Sequence, residues 1–349
     1  MNEQIRLSQS ARRLRYSPGA LPVVTLEKPL AVYRILTLDG GGIRGLLSAV
    51  LMDELDRRRP GWLGHVDMIA GTSTGGILAL ALANGMQPAQ LVELYYALGP
   101  IIFKDNLFDD VRDLGRMIGA DYSTKHLRGE LRKIFADTRL QDLDKRVLIT
   151  AFDLDNEAAS PAERSWKPKF FHNFPGADSD GERRAADVAL YTSAGPTYFP
   201  SVDGYIDGGV VANHPGMVAL SQTQDERSEI PDRPRVAEIR LLSIGAGRVL
   251  SFIKGPTHNW GLVQWAKPLL NLMLDAVSGV PDFQCRQMLG ANYHRLNYTF
   301  ADGNGIGLGE WKKRDRLVEI GREEMVAELD AAADWLTGHW LDESTNHQE

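Results

Sequence analysis

Two glycine-rich turns, each placed between an apolar run and a helical pattern, constrain the fold of this chain most strongly. The first turn, Asp39 to Gly42, follows the apolar run VYRILTL, and leucines then recur at helical spacing from Ile43 to Arg58. The second turn follows the run VDMIAG and leads into an apolar helical pattern from Gly75 to Asn84. Alternating strands and helices predict an α/β fold with parallel strands joined by right-handed crossovers. Both turns would then lie at the carboxyl edge of the sheet, where such folds bind ligands.

The rest of the chain continues the same alternation. Residues 88 to 145 are predicted to be mostly helical because apolar residues recur there at helical spacing. Further strands are predicted at residues 146–154, 168–174, 204–209 and 238–247, and further helices at residues 185–193, 213–222, 260–278 and 312–336.

Composition excludes several classes of protein. The net charge of −7 and the sequence pI near 5.7 argue against general binding of DNA or RNA, which favours basic domains. The single cysteine, Cys285, excludes an intramolecular disulfide and a cysteine-rich metal site. The longest uncharged apolar run in the second helical pattern, Ile77 to Ala83, is far shorter than the roughly 20 residues of a membrane span. We therefore expect a soluble, cytoplasmic protein.

The second glycine-rich turn contains a G-x-S-x-G motif, Gly71-Thr72-Ser73-Thr74-Gly75. A strand before the motif and a helix after it are the context of a nucleophile elbow. The flanking glycines would permit a sharp turn, and the helix N-terminus would present unpaired amides, Thr74 among them. The alternative is that Ser73 only caps the helix.

A nucleophilic serine needs a base, and two kinds of base remain open. Asp207 ends a short apolar run and is followed by Gly208-Gly209, so its carboxylate could approach another loop closely; alternatively, this segment is an ordinary Asp-Gly turn. A Ser-His-Asp triad of the α/β-hydrolase type is the second option, because the histidines follow Asp207 in the chain. Those histidines are His214, His258 and His294.

The first turn also admits a dinucleotide-binding interpretation. Gly40, Gly42 and Gly45 form G-x-G-x-x-G. A dinucleotide fold would need an acidic residue near the end of the second strand, whereas Asp67 lies near its start. The oxidoreductase alternative is therefore weakened. Asp39 is expected to cap the helix or to fix the loop, and Asn213 and Pro215 to shape the turn after Asp207.

Three motifs in this order resemble the patatin-like phospholipases: Asp39 to Gly45, Gly71 to Gly75, and Asp207 to Gly209. The segments ADYSTKHLRGELRKIFADTRLQDL and TSAGPTYFP also resemble bacterial members. The resemblance implies a three-layer sandwich with a mostly parallel central sheet and helices on both faces. It implies a Ser73–Asp207 dyad without histidine. The oxyanion-hole residues that it implies are Gly40, Gly41, Gly42, Arg44 and Thr74, supported by the motif glycines Gly71, Gly75, Gly208 and Gly209.

The resemblance also implies a function, a partner and a domain division. We expect a phospholipase of the A type that acts at the membrane surface on phospholipid, with no metal or other cofactor. A cyclic oligonucleotide activator with a role in antiphage defence is a further expectation, and a non-catalytic lipid-binding protein of the same fold is an alternative. We expect a basic tail (residues 1–33), a catalytic domain (34–300) and a helical segment packed on it (301–349).

Two regions have no decisive motif. The apolar segment from Leu98 to Phe108 is expected to form a lid or an interfacial surface, or to be part of the core. The region after residue 250, which is rich in tryptophan, could complete the core, bind a regulator or form a homo-oligomer interface. Core packing is the expectation for most of those tryptophans.

Overall fold

The computed structural model describes residues 32–102, 124–230, 233–250, 278–301 and 304–341, together with residues 252–255, 257, 259–261, 264–265, 269 and 272. These residues belong to one structural unit. The arginines of the predicted basic tail, the predicted lid residues 103–108 and most of the predicted helix 260–278 lie outside the described residues.

A mixed sheet of short strands forms the centre of the fold. Its strands are β1 (Tyr33–Leu38), β2 (Met68–Thr72), β3 (Arg146–Asp153), β4 (Lys167–His172), β5 (Tyr205–Asp207), β6 (Ile239–Ile244) and β8 (Tyr293–Leu296), and a separate pair is formed by β7 (Arg248–Val249) and β9 (Thr299–Phe300). The order in the sheet is β4-β3-β2-β1-β6-β8, and β5 pairs with β3 beyond this path. The strands β1, β2, β3, β6 and β8 run parallel, whereas β4 and β5 are antiparallel to β3.

Helices follow the strands and cover both faces. They are α1 (Gly45–Arg58), α2 (Thr74–Ala83), α3 (Pro88–Ile102), α4 (Thr124–Phe135), α5 (Ala185–Thr192), α6 (Gly209–Ala212), α7 (Gly216–Gln222), α8 (Gly279–Leu289), α9 (Arg314–Glu319) and α10 (Val326–Leu336). No helix among the described residues is long and apolar enough to span a bilayer.

Alternating side chains of the central strands feed two separate hydrophobic cores. Along β1, Leu36 and Leu38 join the larger core under α1, α2, α5 and α10, whereas Ile35 joins the smaller core under α7 and α8. Successive side chains of a strand point to opposite faces of a sheet, so both faces of this sheet are apolar and covered. The predicted three-layer α/β sandwich with a mostly parallel sheet is therefore confirmed.

Several predicted elements differ from the observed ones. The predicted helix 213–222 begins only at Gly216, as α7, and the separate short helix α6 precedes the predicted range. Pro215 lies directly before α7, where its missing amide hydrogen is tolerated. The predicted helix 312–336 is interrupted by a π-helical turn at Ile320–Glu324. The sequence did not reveal α8 or β8, whose exposed and buried residues do not follow one clear period.

The end of the described chain packs into the larger core. Trp340 is fully buried against Trp62, with the ring centroids 6.0 Å apart and its indole N–H donating to the Trp62 carbonyl at 3.3 Å. We predict that Trp340→Ala lowers the free energy of unfolding by about 3–5 kcal/mol, because it leaves a large cavity. Urea unfolding measures this loss. The matched control is Trp166→Ala, which removes a side chain that is 73% exposed and should change stability by no more than about 0.5 kcal/mol.

Candidate active site

Ser73 occupies a sharp turn between β2 and α2. Its backbone has φ 53° and ψ −123°, a conformation that is strained for any residue with a side chain and that persists only where the surroundings impose it. Ser73 precedes the first residue of α2, yet its side chain makes no capping hydrogen bond. The structure therefore does not support the helix-cap interpretation, and Ser73 instead lines a cavity at the carboxyl edge of the sheet.

The glycines that flank Ser73 allow two backbones to touch. A Cβ atom on Gly75 would lie 2.2 Å from the Leu38 carbonyl oxygen, and one on Gly71 would lie 2.2 Å from the Gly75 carbonyl oxygen. Neither distance is compatible with a side chain. The spacing of the G-x-S-x-G motif thus reflects the close approach of the second turn to the first.

Strand pairing brings Asp207 to the same place. Parallel pairing of β2 with β3 ends at Thr72 opposite Thr150, and β5 begins to pair with β3 at the next residue, with Asp207 opposite Ala151. Asp207 is 6% exposed and lines the cavity together with Ser73. The sheet register thus places the predicted nucleophile and the predicted base side by side.

The Asp207 carboxylate lies in a dry environment with two hydrogen-bonding partners. The Gly209 amide donates to its Oδ1 at 2.7 Å, and the Ser73 side chain is its second partner. Burial raises the pKa of Asp207 from 3.8 to about 6, although the Ser73 hydroxyl and the Gly209 amide oppose the shift. A carboxylate with this pKa is ionised at neutral pH and more basic than an exposed aspartate.

Two threonines behind the dyad were not identified from the sequence. Thr150 Oγ1 donates to Thr72 Oγ1 at 2.7 Å, and Thr72 Oγ1 donates to the Ala212 carbonyl at 2.6 Å. A Cβ atom on Gly208 would lie 2.1 Å from Thr150 Oγ1, so Gly208 must lack a side chain. These contacts fix the turn after Asp207 against the strand that precedes Ser73.

The first glycine-rich turn lines the same cavity, but its three glycines are not equivalent. The Gly40 amide donates to the Asn213 carbonyl at 3.1 Å, so it is already paired, in contrast to its expected place in the oxyanion hole. Among the described residues, the amides of Gly41 and Gly42 have no hydrogen-bond acceptor. The chain after Asp207 therefore occupies one amide of this turn and leaves the next two for a ligand.

A loop near the end of the chain supports the first turn from outside. Gly42 has φ 56°, and a Cβ atom on it would lie 2.4 Å from the Leu308 carbonyl oxygen. That same oxygen accepts the Ile43 amide at 2.9 Å. Leu308 also lines the cavity. Sequence reasoning did not connect residue 308 with the site, because no motif marks the contact.

Arg44 and Thr74 also line the cavity. Arg44 is only 2% exposed, although it carries a charge. Thr74 begins α2, so its amide is one of those that lack an acceptor within the helix. Its hydroxyl donates to the Tyr95 hydroxyl at 2.8 Å, which in turn donates to the Thr74 carbonyl at 2.8 Å. These two bonds attach the first turn of α2 to α3.

The remainder of the cavity is mostly apolar. Its lining comes from α2, α3 and α4, from the loop after α5, and from Leu308. Leu98 and Ile102 belong to the segment for which a lid was predicted, and both contribute to the wall. The side chains that form the apolar wall are Ile77, Tyr95, Leu98, Ile102, Leu127, Leu131, Phe199 and Leu308.

None of the described histidines lines this cavity, and His258 lies outside the described residues. His214 accepts the Gly216 amide at its Nδ1 at 3.0 Å, and its Nε2 lies 3.1 Å from the Tyr293 hydroxyl. Burial, and then the nearby Arg295 cation, lower the pKa of His214 to about 4. His294 packs against Trp335. Within the described part of the chain, no cluster of His, Cys, Asp and Glu could hold a metal ion.

Known proteins are similar to this chain over the region that contains the three motifs. Residues 36–220, which include both glycine-rich turns and Asp207, match the family model described as patatin-like phospholipase. A cGAMP-activated phospholipase of Pseudomonas aeruginosa is 31% identical over 275 residues, which cover 77% of this chain and 79% of the relative. The putative sporulation hydrolase CotR of Bacillus subtilis is 31% identical over 238 residues, covering 67% and 69%. A cGAMP-activated phospholipase of Vibrio cholerae is 34% identical over 236 residues, covering 61% and 63%.

The raised pKa of Asp207 predicts a pH-dependent cost in stability. Below pH 3.8 Asp207 is neutral in both the folded and unfolded chains, and its contribution to stability is lost as the pH rises through about 6. The difference in the free energy of unfolding between Asp207→Asn and wild type should therefore increase in favour of the variant from pH 4 to pH 8, by on the order of 2–3 kcal/mol. Urea unfolding across this range measures the difference.

Ser73→Ala provides the second arm of this experiment. It removes the hydroxyl that lowers the pKa of Asp207, so the pH transition in stability should move upward. A difference between Asp207→Asn and wild type that stays constant from pH 4 to pH 8 would contradict the assignment.

Proposed function

The chain belongs to the patatin-like phospholipase family, as its motifs predicted, and from this premise we propose that it is a lipid acyl hydrolase that cleaves fatty-acyl esters through an acyl-Ser73 intermediate. The observation that carries the proposal is the meeting of Ser73 and Asp207 in one cavity at the carboxyl edge of the sheet. Family membership supports a hydrolase; the dyad and the type of ester are the proposed details.

Asp207 acts as the general base in the first step. Its ionised carboxylate accepts the Ser73 proton while Ser73 Oγ attacks the ester carbonyl carbon. The bond to the leaving alcohol, a lysophospholipid, breaks, and the proton held by Asp207 passes to that alcohol. Because only the ionised form accepts a proton, this step requires a pH above the Asp207 pKa of about 6.

The amides of Gly41 and Gly42 stabilise the oxyanion that forms during attack. Their acceptors are absent within the described residues, and both glycines line the cavity beside Ser73. Thr74 also lines the cavity, and its amide, at the positive end of α2, is a further candidate donor. Gly40 contributes space, since a Cβ atom there would lie 3.3 Å from Ser73 Cβ and 2.2 Å from Asn213 Oδ1.

In deacylation, water becomes the attacking group and Ser73 becomes the leaving group. Asp207 removes a proton from water, the resulting hydroxide attacks the acyl-serine carbonyl, and Ser73 recovers its proton as the fatty acid leaves. Arg44, buried at the wall next to the first turn, supplies positive charge near the reacting ester and the phosphate of the substrate. No step in this scheme requires a metal ion or an organic cofactor.

The apolar wall between α3 and α4 supports a long acyl chain as the group transferred to serine. Side chains such as Leu98, Leu127 and Leu131 would contact methylene groups, and burial of each methylene contributes about 0.8 kcal/mol. The polar headgroup would then remain near the cavity entrance, consistent with action at a membrane surface. This asymmetry favours phospholipid over small soluble esters.

The alternatives have less support. A Ser-His-Asp triad would need a histidine near Ser73, and the described histidines do not line the cavity. A dinucleotide would need the Gly40 amide, which is bonded to Asn213. A lipid-binding protein without activity would have no use for the strained Ser73 backbone.

Regulation by a cyclic nucleotide is part of the proposal. Two of the relatives carry names that describe cGAMP activation, and they support the same type of control, with a role in antiviral defence, for this chain. We also propose that the catalytic unit spans residues 34–300 and that residues 301–349 pack on it. The buried position of Trp340 and the contact of Leu308 with Gly42 support this division.

Loss of either dyad residue should abolish turnover. We expect Ser73→Ala and Asp207→Asn each to lower kcat by at least about 10³-fold, because the attacking hydroxyl or its base is removed. The measurement is fatty-acid release from mixed phospholipid vesicles, with and without cGAMP. A fluorophosphonate should label wild type but not Ser73→Ala.

Thr72→Ser provides the matched control for this experiment. It keeps a hydroxyl one residue away from Ser73, where Thr72 donates to the Ala212 carbonyl, and should retain most of the activity. Turnover close to wild type in Asp207→Asn would contradict the dyad, and fluorophosphonate labelling of Ser73→Ala would contradict the nucleophile.

The apolar wall of the cavity gives a separate prediction about the length of the acyl chain. Leu98→Phe places a larger side chain in the cavity and should lower kcat/KM for a twelve-carbon ester by about tenfold more than for a butyrate ester. Leu94→Phe, on the same helix but outside the cavity lining, should affect both esters equally. An equal effect of Leu98→Phe on both esters would place the acyl chain elsewhere.

A further inference from the structure

A buried ion pair lies directly before the first glycine-rich turn and has no part in the mechanism above. Asp39 follows β1, and Arg295 lies on β8, with β6 between these two strands. Arg295 Nη1 donates to Asp39 Oδ1 at 3.0 Å, and Arg295 Nη2 donates to Asp39 Oδ2. The two side chains are 9% and 6% exposed. The guanidinium therefore binds the carboxylate through both oxygens in a dry environment.

The guanidinium is itself held in place by neighbours. Arg295 Nη1 also donates to Ser243 Oγ at 2.7 Å, on the strand that it crosses. Ser243 Oγ lies 3.3 Å from His214 Nε2, and that nitrogen lies 3.1 Å from the Tyr293 hydroxyl. Tyr293 in turn donates to Asp282 Oδ1 at 2.8 Å. The network thus extends from Asp39 to the first turns of α8.

Several features indicate a role for this pair beyond stability. A buried ion pair is often no more stabilising than an apolar pair of the same size, because both charges lose their hydration. What the pair supplies is direction, since a two-point contact fixes the orientation of the Asp39 carboxylate. Asp39 is covalently joined to Gly40, and its own amide donates to the Ile244 carbonyl at 3.1 Å. The direction in which the chain leaves β1 and enters the glycine turn is therefore fixed at Asp39.

We propose that Arg295 is a positioning residue for the oxyanion loop, which it orients through Asp39 toward the ester bound at Ser73. The proposal rests on the function proposed above, because it assigns the Gly41 and Gly42 amides to the oxyanion. Neither Arg295 nor Asp39 is among the residues that line the cavity, so the effect on chemistry passes through the backbone of the turn. Donors of this kind must lie within a few tenths of an ångström of the oxyanion position.

The test compares variants that weaken the pair by steps. Arg295→Met removes the charge and both contacts, Arg295→Lys keeps the charge but loses the two-point contact, and Asp39→Asn keeps the shape of the acceptor. We expect kcat for p-nitrophenyl butyrate to fall by about 10²-fold in Arg295→Met and by about tenfold in the other two variants. KM should stay within about threefold, because oxyanion contacts form only in the transition state. The rate of fluorophosphonate labelling should fall in parallel with kcat.

Arg34→Lys is the matched control. Arg34 lies near the amino end of β1, whereas Asp39 follows its carboxyl end, and the Arg34 Nε donates to the Trp340 carbonyl at 2.7 Å. The control should lower thermal stability and leave kcat within twofold of wild type at a temperature where the chain is folded. Should the charge variants fail to fold, Ser243→Ala removes one contact of Arg295 without changing a charge, and we expect it to lower kcat about threefold to tenfold.

Three results would overturn the proposal. The first is a set of folded Arg295 and Asp39 variants, or a folded Ser243→Ala, with kcat within twofold of wild type. The second is a rise in KM without a fall in kcat. The third is a wild-type chain that neither hydrolyses the ester nor reacts with the fluorophosphonate; this would overturn the proposed function as well, and the inactive wild type distinguishes it from the first two.

Discussion

The contact between the two glycine-rich turns is the constraint on which the rest of the site depends. Gly75 packs directly against the carbonyl oxygens of Leu38 and Asp39, at distances that leave no room for a side chain. Because β1 and β2 are neighbouring parallel strands, their carboxyl ends deliver these two turns to the same point. The proposed nucleophile and the proposed oxyanion donors therefore have a fixed relation before any substrate binds, which is the condition for electrostatic preorganisation.

The placement of Asp207 beside Ser73 depends on a second, longer-range constraint. Antiparallel pairing of β5 with β3 places Asp207 beyond the end of β2, in a dry position. Desolvation makes the carboxylate a better proton acceptor, while the Ser73 hydroxyl and the Gly209 amide keep its pKa near 6. The free energy that the chain loses by burying this charge is offset by packing elsewhere, for example around Trp62 and Trp340. The residues that supply this packing are thus different from those that line the cavity.

Local patterns predicted the parallel half of the fold and the identity of the three motifs. The order of strands, turns and helices around Ser73 follows from apolar periodicity and glycine placement, which depend on neighbouring residues alone. The antiparallel direction of β4 and β5 did not follow from any pattern, because strand pairing is decided by distant partners. The same reason explains why Leu308 and Arg295 were not connected with the site, and why Asn213 was expected to shape the turn after Asp207 but was not connected with the first glycine-rich turn. Each is joined to the first turn by contacts between residues that are far apart in the chain, and the acceptor of the Gly40 amide belongs to such a contact.

The contact of Leu308 with the first glycine-rich turn determines when the site can be completed during synthesis of the chain. Translation produces both turns and Asp207 about a hundred residues before it produces the carbonyl that accepts the Ile43 amide. A nascent chain that carries Ser73 and Asp207 but ends before Leu308 lacks this support for the first turn and one residue of the cavity wall. For the proposed hydrolase, the complete site is therefore available only after residue 308 has been synthesised.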